Sequence, residues 1–412
     1  MTESRKLLEG VKVVELATFI AAATTGRFLA DLGADVVKIE QKNGDPLRYT
    51  APSEGRPLDM HENTTWELEN GNKRCLSIDT RTEEGKEILF KLLDEADILI
   101  TNWRTKALVK SGLDYETLKV KYPKLVYGIC TGYGEYGPDK DLPGFDFTSF
   151  FARGGYLETL RQKSDVPMNV VPGVDHNVGM NLAAGILAAL YHAKMTGKGE
   201  KVETSLFETA IFNMGMMVQA AQYTDYGEKY PIDIRNSPNP FLACWKSKDG
   251  RYVQTCMPDY NTYFERFMTA LGLTEFLGEE KDKYFPVQNL IENGLGPKLY
   301  DAIMERFETK TIAEWNEILV EADIPFALAK NWEELLEDDQ AWANDCFRKM
   351  EYPSGERILV NQPVRYHEMG KTPYEKGPLI GEHTVEVLKE LGYDDAKIKE
   401  LIDSKVAYEW DK

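Results

Sequence analysis

Apolar and β-branched residues fall into short runs along the first half of the chain, separated by amphipathic stretches. Residues 11–16, 35–40, 76–79, 97–101 and 125–130 read as strands, while 25–32, 83–95 and 115–121 carry a helical period. That alternation predicts a parallel sheet with helices packed on it. A strongly apolar helical region follows over 183–222. The texture then changes. Residues 242–246 and 252–256 flank Lys248-Asp-Gly250 as a hairpin, and helical patterns over 260–271, 297–307 and 312–322 complete a smaller α+β region. Residues 333–344 read as helix, 357–364 as strand and 381–391 as a capped amphipathic helix. The expected division is 1–225 for a large domain, 226–329 for a small one and 330–412 for a segment returning to the first.

In a parallel sheet, ligands settle beyond the carboxyl ends of the strands. Three polar segments stand there: residues 40–45, Asn102-Trp-Arg104 and Thr131-Gly-Tyr-Gly134. None contains GxGxxG, and the turn after the first strand has no glycine, which argues against a dinucleotide; the P-loop, HExxH and EF-hand patterns are absent too. Asn72, Lys73, Arg74, Asn102, Trp103, Arg104 and Lys110 are candidate phosphate contacts, with Trp103 able to stack on a flat base. Taken alone, these residues are explained more simply as solvated turn cations and a packing tryptophan.

Asp175 stands where a loop containing Pro172 and Gly173 meets the apolar helix at 182–190. A helix N-terminus presents unpaired N–H groups and partial positive charge, which favour an ionised carboxylate. Such an acid is either a helix cap or a nucleophile.

Composition narrows the field. The chain has 412 residues, 42% of them hydrophobic and 28% charged, enough for two ordinary globular domains. With 49 basic against 68 acidic residues the net charge is −19, which disfavours nucleic acid and anionic membranes as partners. Five cysteines without a paired spacing, no signal-peptide pattern and no membrane-length apolar run lead to the expectation of a reduced, cytoplasmic protein without a metal site.

Several ordered blocks together resemble the class III (CaiB/BaiF-type) CoA-transferases. They are residues 29–40, Asn72-Lys-Arg74, residues 96–102, Thr131-Gly-Tyr-Gly134 and Gly381-Glu-His-Thr384, and the likeness runs from Val11 to about Leu401. Residues 101–110, 141–146, 151–155 and 339–345 are similar to the 2-hydroxyacyl-CoA transferases of that family. The resemblance implies a Rossmann-like large domain, an inserted α+β domain and an interlocked homodimer. It implies CoA thioesters and small carboxylic acids as substrates, an aromatic 2-hydroxy acid among them, and no further cofactor.

By the same resemblance Asp175 is the nucleophile, with Gly179 matching the motif and Val174 replacing the usual glycine. The CoA groove is expected along Ala21, Ala22, Lys42, Asn72, Lys73, Arg74, Asn102, Trp103, Arg104 and Lys110, with backbone contacts at the two alanines. Gly144, Phe145 and His176 are expected at the acyl pocket. Phe150, Phe151, Met214, Met216 and Met217 would suit a large apolar acyl group or plain core packing. Residues 236–240 stand where many relatives have a glycine run, giving a stiffer loop. Related racemases place a histidine where this chain has Phe145, which cannot carry a proton. A branched aliphatic acceptor, a racemase or a non-catalytic acyl-CoA-binding protein are the alternative readings.

Overall fold

The computed structural model describes residues 6–157, 173–223, 234–366 and 374–410. The chain separates into two compact units, Met1–Tyr156 with Asn169–Ala220 and Gln340–Lys412 in the first, Leu157–Met168 with Ala221–Asp339 in the second.

The first unit is built on a seven-stranded sheet. Its strands are β1 (Lys12–Leu16), β2 (Asp35–Glu40), β3 (Arg74–Ile78), β4 (Ile98–Thr101), β5 (Val126–Thr131) and β6 (Lys201–Ser205), with the short strand Ala407–Tyr408 at one edge. The order from that edge is β3, β2, β1, β4, β5, β6, and all pairings are parallel except that of Ala407–Tyr408 with β3. This is the Rossmann order, whose direction of growth reverses between β1 and β4. The apolar runs that mark these strands are what a sheet covered on both faces requires. One face packs against α1 (Ala21–Asp31) and the long helix Gly173–Thr196. The other buries Ile88, Leu89 and Leu93 of the helix Glu83–Glu95 and Val387 and Leu388 near the C-terminus.

The structure departs from the sequence pattern in four places. The first helix begins at Ala21 rather than at residue 25. The helical region expected over 183–222 is cut by β6, a sheet-edge strand whose half-buried Lys-Val-Glu-Thr-Ser sequence carries no apolar run. The strand near residue 357 belongs to a hairpin, Phe347–Tyr352 with Gly355–Val360. Residues 333–344 form two short helices, Trp332–Leu336 and Asp339–Ala343.

The second unit carries a three-stranded antiparallel sheet, Cys244–Lys246, Tyr252–Thr255 and Phe326–Leu328, over an aromatic-rich core. Its loop at 236–240 is fastened: the Asn239 amide donates to the Met257 carbonyl at 2.9 Å and accepts from the Phe241 N–H at 3.0 Å. Among the described residues no helix is long and apolar enough to cross a membrane.

Candidate active site

Three strand ends converge at the point where the sheet order reverses. Thr18–Ala21 follow β1, Asn102–Thr105 follow β4 and Thr131–Gly132 close β5; together with Leu142–Asp146, Asp175 and Leu206 they line a cavity of about 260 Å³. A second cavity, of about 730 Å³, is walled by Lys42, Arg81, Lys86, Lys110, Tyr408 and neighbouring polar residues. Trp103 lines both. The first cavity sets Asp146 and Asp175 among backbone and aromatic groups, with Arg104 and Lys140 also on its wall; the second is rich in cations.

The backbone around the first cavity is fastened by side chains from adjacent strands. Asn102 accepts from the Thr18 N–H at 3.1 Å and donates to the Thr18 carbonyl at 2.8 Å. Asp45 accepts from the Phe19 N–H at 3.0 Å, and Phe19 stands at φ 59°. The chain then turns directly into α1, whose capping position, Ile20, has no side chain able to cap. The first-turn N–H groups of α1 thus have no side-chain cap. Ala21 lines the cavity, while Ala22 is fully buried beneath it.

Asp175 is the third residue of the helix Gly173–Thr196; Val171 and Pro172 ahead of it lie outside the described residues. Val174 is within the helix and packs against the core, so this position needs no glycine. Gly179, one turn on, does need to be glycine. A Cβ there would come within 2.4 Å of the Ala21 carbonyl and 2.6 Å of the Thr24 Cβ. That close approach, with the Thr25 hydroxyl donating to the Gly179 carbonyl at 2.8 Å, sets Asp175 beside the start of α1. Gly132 and Gly144 approach each other as tightly: a Cβ on Gly132 would meet the Gly144 Cα at 2.6 Å.

Electrostatics reverse the expectation for Asp175. Burial and the neighbouring Asp146 push its carboxyl up to about 7, with Glu69 adding to the effect and His176 opposing it. Desolvation outweighs the helix end. Asp146, first residue of the helical turn Asp146–Ala152, is itself raised by burial. One of its oxygens accepts from the Phe147 N–H at 2.8 Å; the other is buried with no hydrogen-bond partner. Cys130 also lines the cavity, but burial and Asp175 hold its thiol up to about 12, so a thiolate is not available near neutrality.

Several expected site residues lie elsewhere. His176 points away into a separate cavity and bonds Glu69 at 2.6 Å, so it does not join Gly144 and Phe145 at the acyl side. Asn72, Lys73 and Arg74 line neither the Asp175 cavity nor the cationic one. Asn72 donates to Asp31 at 2.7 Å, and Lys73 is buried 2.8 Å from Glu15. Arg74 pairs with Asp35, Glu386 and Glu390. These groups are tied into the scaffold because carboxylates of the sheet and its helices reach them first. Lys42, Trp103 and Lys110 do meet in one cavity, and Asn102, Trp103 and Arg104 in the other. Phe150 and Phe151 are core residues, and Met216 is exposed away from the cavity. Asp146, Phe19, Arg81 and Lys86 were not singled out from the sequence as site residues. Asp146 had a signal in its place beside Gly144 and Phe145; the others are ordinary surface or apolar residues until the fold gathers them.

Comparison with known proteins adds an independent line. The profile of CoA-transferase family III matches residues 8–384. The chain is 57% identical to the cinnamoyl-CoA:phenyllactate CoA-transferase of Clostridium sporogenes over 98% of both sequences. It is 45% identical to the (R)-2-hydroxy-4-methylpentanoate CoA-transferase of Clostridioides difficile, covering 97% of this chain and 99% of that one. Among solved structures, a CAIB/BAIF family protein from Brucella suis superposes with a TM-score of 0.77 at 27% identity, covering 93% of this chain and 99% of that chain.

Proposed function

The chain belongs to CoA-transferase family III, and from that premise we propose that it moves CoA from an enoyl-CoA or other acyl-CoA, cinnamoyl-CoA for instance, to an aromatic 2-hydroxy acid such as (R)-phenyllactate. Asp175 is the nucleophile in this reading. The observation that carries it is the placement of the Asp175 carboxyl in a cavity that adjoins, across Trp103, a second cavity rich in lysine and arginine. The phosphates of CoA suit the cations Lys42, Arg81, Lys86 and Lys110. Trp103 lies between the nucleotide and the thioester arm, which reaches toward Asp175.

The steps balance with Asp175 and the two substrates alone. The ionised carboxylate attacks the thioester carbonyl, and the tetrahedral oxyanion collapses by expelling the CoA thiolate, leaving an acyl-aspartyl anhydride. The thiolate attacks the aspartyl carbonyl and releases the donor acid, forming an aspartyl-CoA thioester. The incoming 2-hydroxy acid attacks that thioester, and the freed thiolate then takes the new acyl group and restores the Asp175 carboxylate. The unpaired N–H groups at the start of α1 suit the oxyanions. Phe145, with no protonatable group, disfavours racemization. The 45% identity to the 2-hydroxy-4-methylpentanoate enzyme supports a branched aliphatic acceptor as the second reading.

A cytoplasmic homodimer belongs to the same proposal. Tyr191, Met195, Phe212 and Met216 expose large apolar side chains on one unit, as an obligate interface would require.

The decisive experiment incubates the full-length protein with cinnamoyl-CoA, quenches, digests and weighs the peptides. CoA is expected in thioester linkage on the peptide containing Asp175, and Asp175→Ala is expected to carry none and to transfer none. Transfer that survives in Asp175→Ala sinks the covalent mechanism.

A further inference from the structure

Phe19 occupies a backbone conformation that bulky L-residues rarely adopt, φ 59°, immediately before α1. Glycine or asparagine would make the same turn with less strain. The conformation is enforced from several directions. The Phe19 N–H donates to Asp45 at 3.0 Å, and Asp45 is itself buried with its other oxygen 3.0 Å from the Lys38 ammonium. The preceding Thr18 is gripped at both its N–H and carbonyl by Asn102.

Core packing does not account for the ring. Phe19 is 37% exposed and lies outside the hydrophobic clusters on the two faces of the sheet. Its aromatic partner is Phe145, 55% exposed, at a centroid distance of 6.0 Å and an interplanar angle of 89°. Both rings line the cavity that holds Asp175. Two perpendicular, half-open rings beside a reactive carboxyl leave one edge and one face for a third ring, the arrangement aromatic groups prefer.

We propose that Phe19, presented by its strained turn and paired with Phe145, is a specificity-determining residue that selects a planar aromatic acyl group over an aliphatic one of similar bulk. This rests on the CoA-transferase reading and names the feature of the site that chooses the substrate class. An aliphatic acyl group fills the same volume and gains contact area. It has no ring quadrupole to meet the edge of one phenylalanine and the face of the other.

The test compares kcat/KM for CoA transfer from cinnamoyl-CoA to phenyllactate and to 2-hydroxy-4-methylpentanoate, in the parent enzyme and in two variants. Phe19→Asn removes the ring with a residue that tolerates the turn, so folding is kept. Phe145→Leu removes the partner ring without touching that backbone. The parent is expected to favour phenyllactate, and each variant to lower the ratio of the two specificity constants by roughly tenfold. A merely structural role would lower both rates together and leave the ratio in place. A ratio within about twofold of the parent in both folded variants, or a parent without preference for the aromatic acid, overturns this inference alone. A parent that transfers CoA to neither acid overturns the proposed 2-hydroxy-acid acceptors with it.

Discussion

Two groups of acids in the large unit have opposite surroundings. Around the carboxyl ends of β1 and β2, the buried carboxylates of Glu15, Glu40 and Asp45 each have a cation. Lys38 is 3.1 Å from Glu15 and 3.0 Å from Asp45, and Lys73 is 2.8 Å from Glu15. Arg48 closes a forked pair on Glu40 at 3.0 Å. At the cavity, Asp175 and Asp146 have no lysine or arginine at ion-pair distance among the described residues, and both hold their protons more tightly than ordinary aspartates. The same residue type thus serves two purposes. Paired and buried, it fixes the loops that follow the strands; unpaired and facing a cavity, it is poised to change its bonding state. The first arrangement holds the Phe19 turn through Asp45, and the second contains the carboxyl we propose as the nucleophile.

The contrast predicts stability changes of opposite sign. Lys38→Met leaves the Glu15 and Asp45 carboxylates short of a cation in a dry site, and about 3–5 kcal/mol of unfolding free energy should be lost. Chemical denaturation measures it; a loss below about 1 kcal/mol would show that the network is not holding the scaffold.

Asp175→Asn should do the reverse. The folded carboxyl titrates near 7 against an ordinary value of 3.8, so the folded state binds this proton more tightly than the unfolded chain does. Its contribution favours folding at low pH and is lost as the pH rises through about 7. Removing the charge should stabilise the protein at pH 8 by about 2 kcal/mol, allowing for partial solvent screening. The gain should vanish near pH 4, while transfer is abolished at every pH. A variant that is less stable than the parent at pH 8 would return Asp175 to the role of a helix cap.

The smallest effect separates the two acids of the cavity. On the proposed mechanism the reaction needs ionised Asp175, so kcat/KM should fall as pH drops below about 7. Asp146→Asn removes a like charge and should move that acidic limb to lower pH, with His176 and Glu69 unchanged beyond it. A limb that stays in place would mean that Asp146 and Asp175 do not share a field.

Much of this was legible in the chain. The buried strands declare themselves because a sheet covered on both faces needs unbroken apolar runs, as in Val126–Thr131 and Ile98–Thr101. β6 escaped notice because only part of it is buried, leaving Lys201 and Glu203 within the strand. The start of α1 was hidden because no residue able to cap it precedes the helix; Ile20 and Ala21 stand there at the wall of the cavity. Cations were the least legible feature. Lys73 and Lys110 look alike in a sequence, yet one is sealed against Glu15 and the other lines an open cavity.

The sequence by itself determined the alternation of strands and helices, the family and the candidate carboxyl, Asp175, that we propose as the nucleophile. Those follow from periodicity and from residue types in order, which are local properties. Only the tertiary structure decided which charges are paired, which way His176 faces, that Asp146 stands near Asp175 and that Phe19 meets Phe145. These depend on distances between residues far apart in the chain. Burial then turns those distances into energies by removing the water that would otherwise screen them.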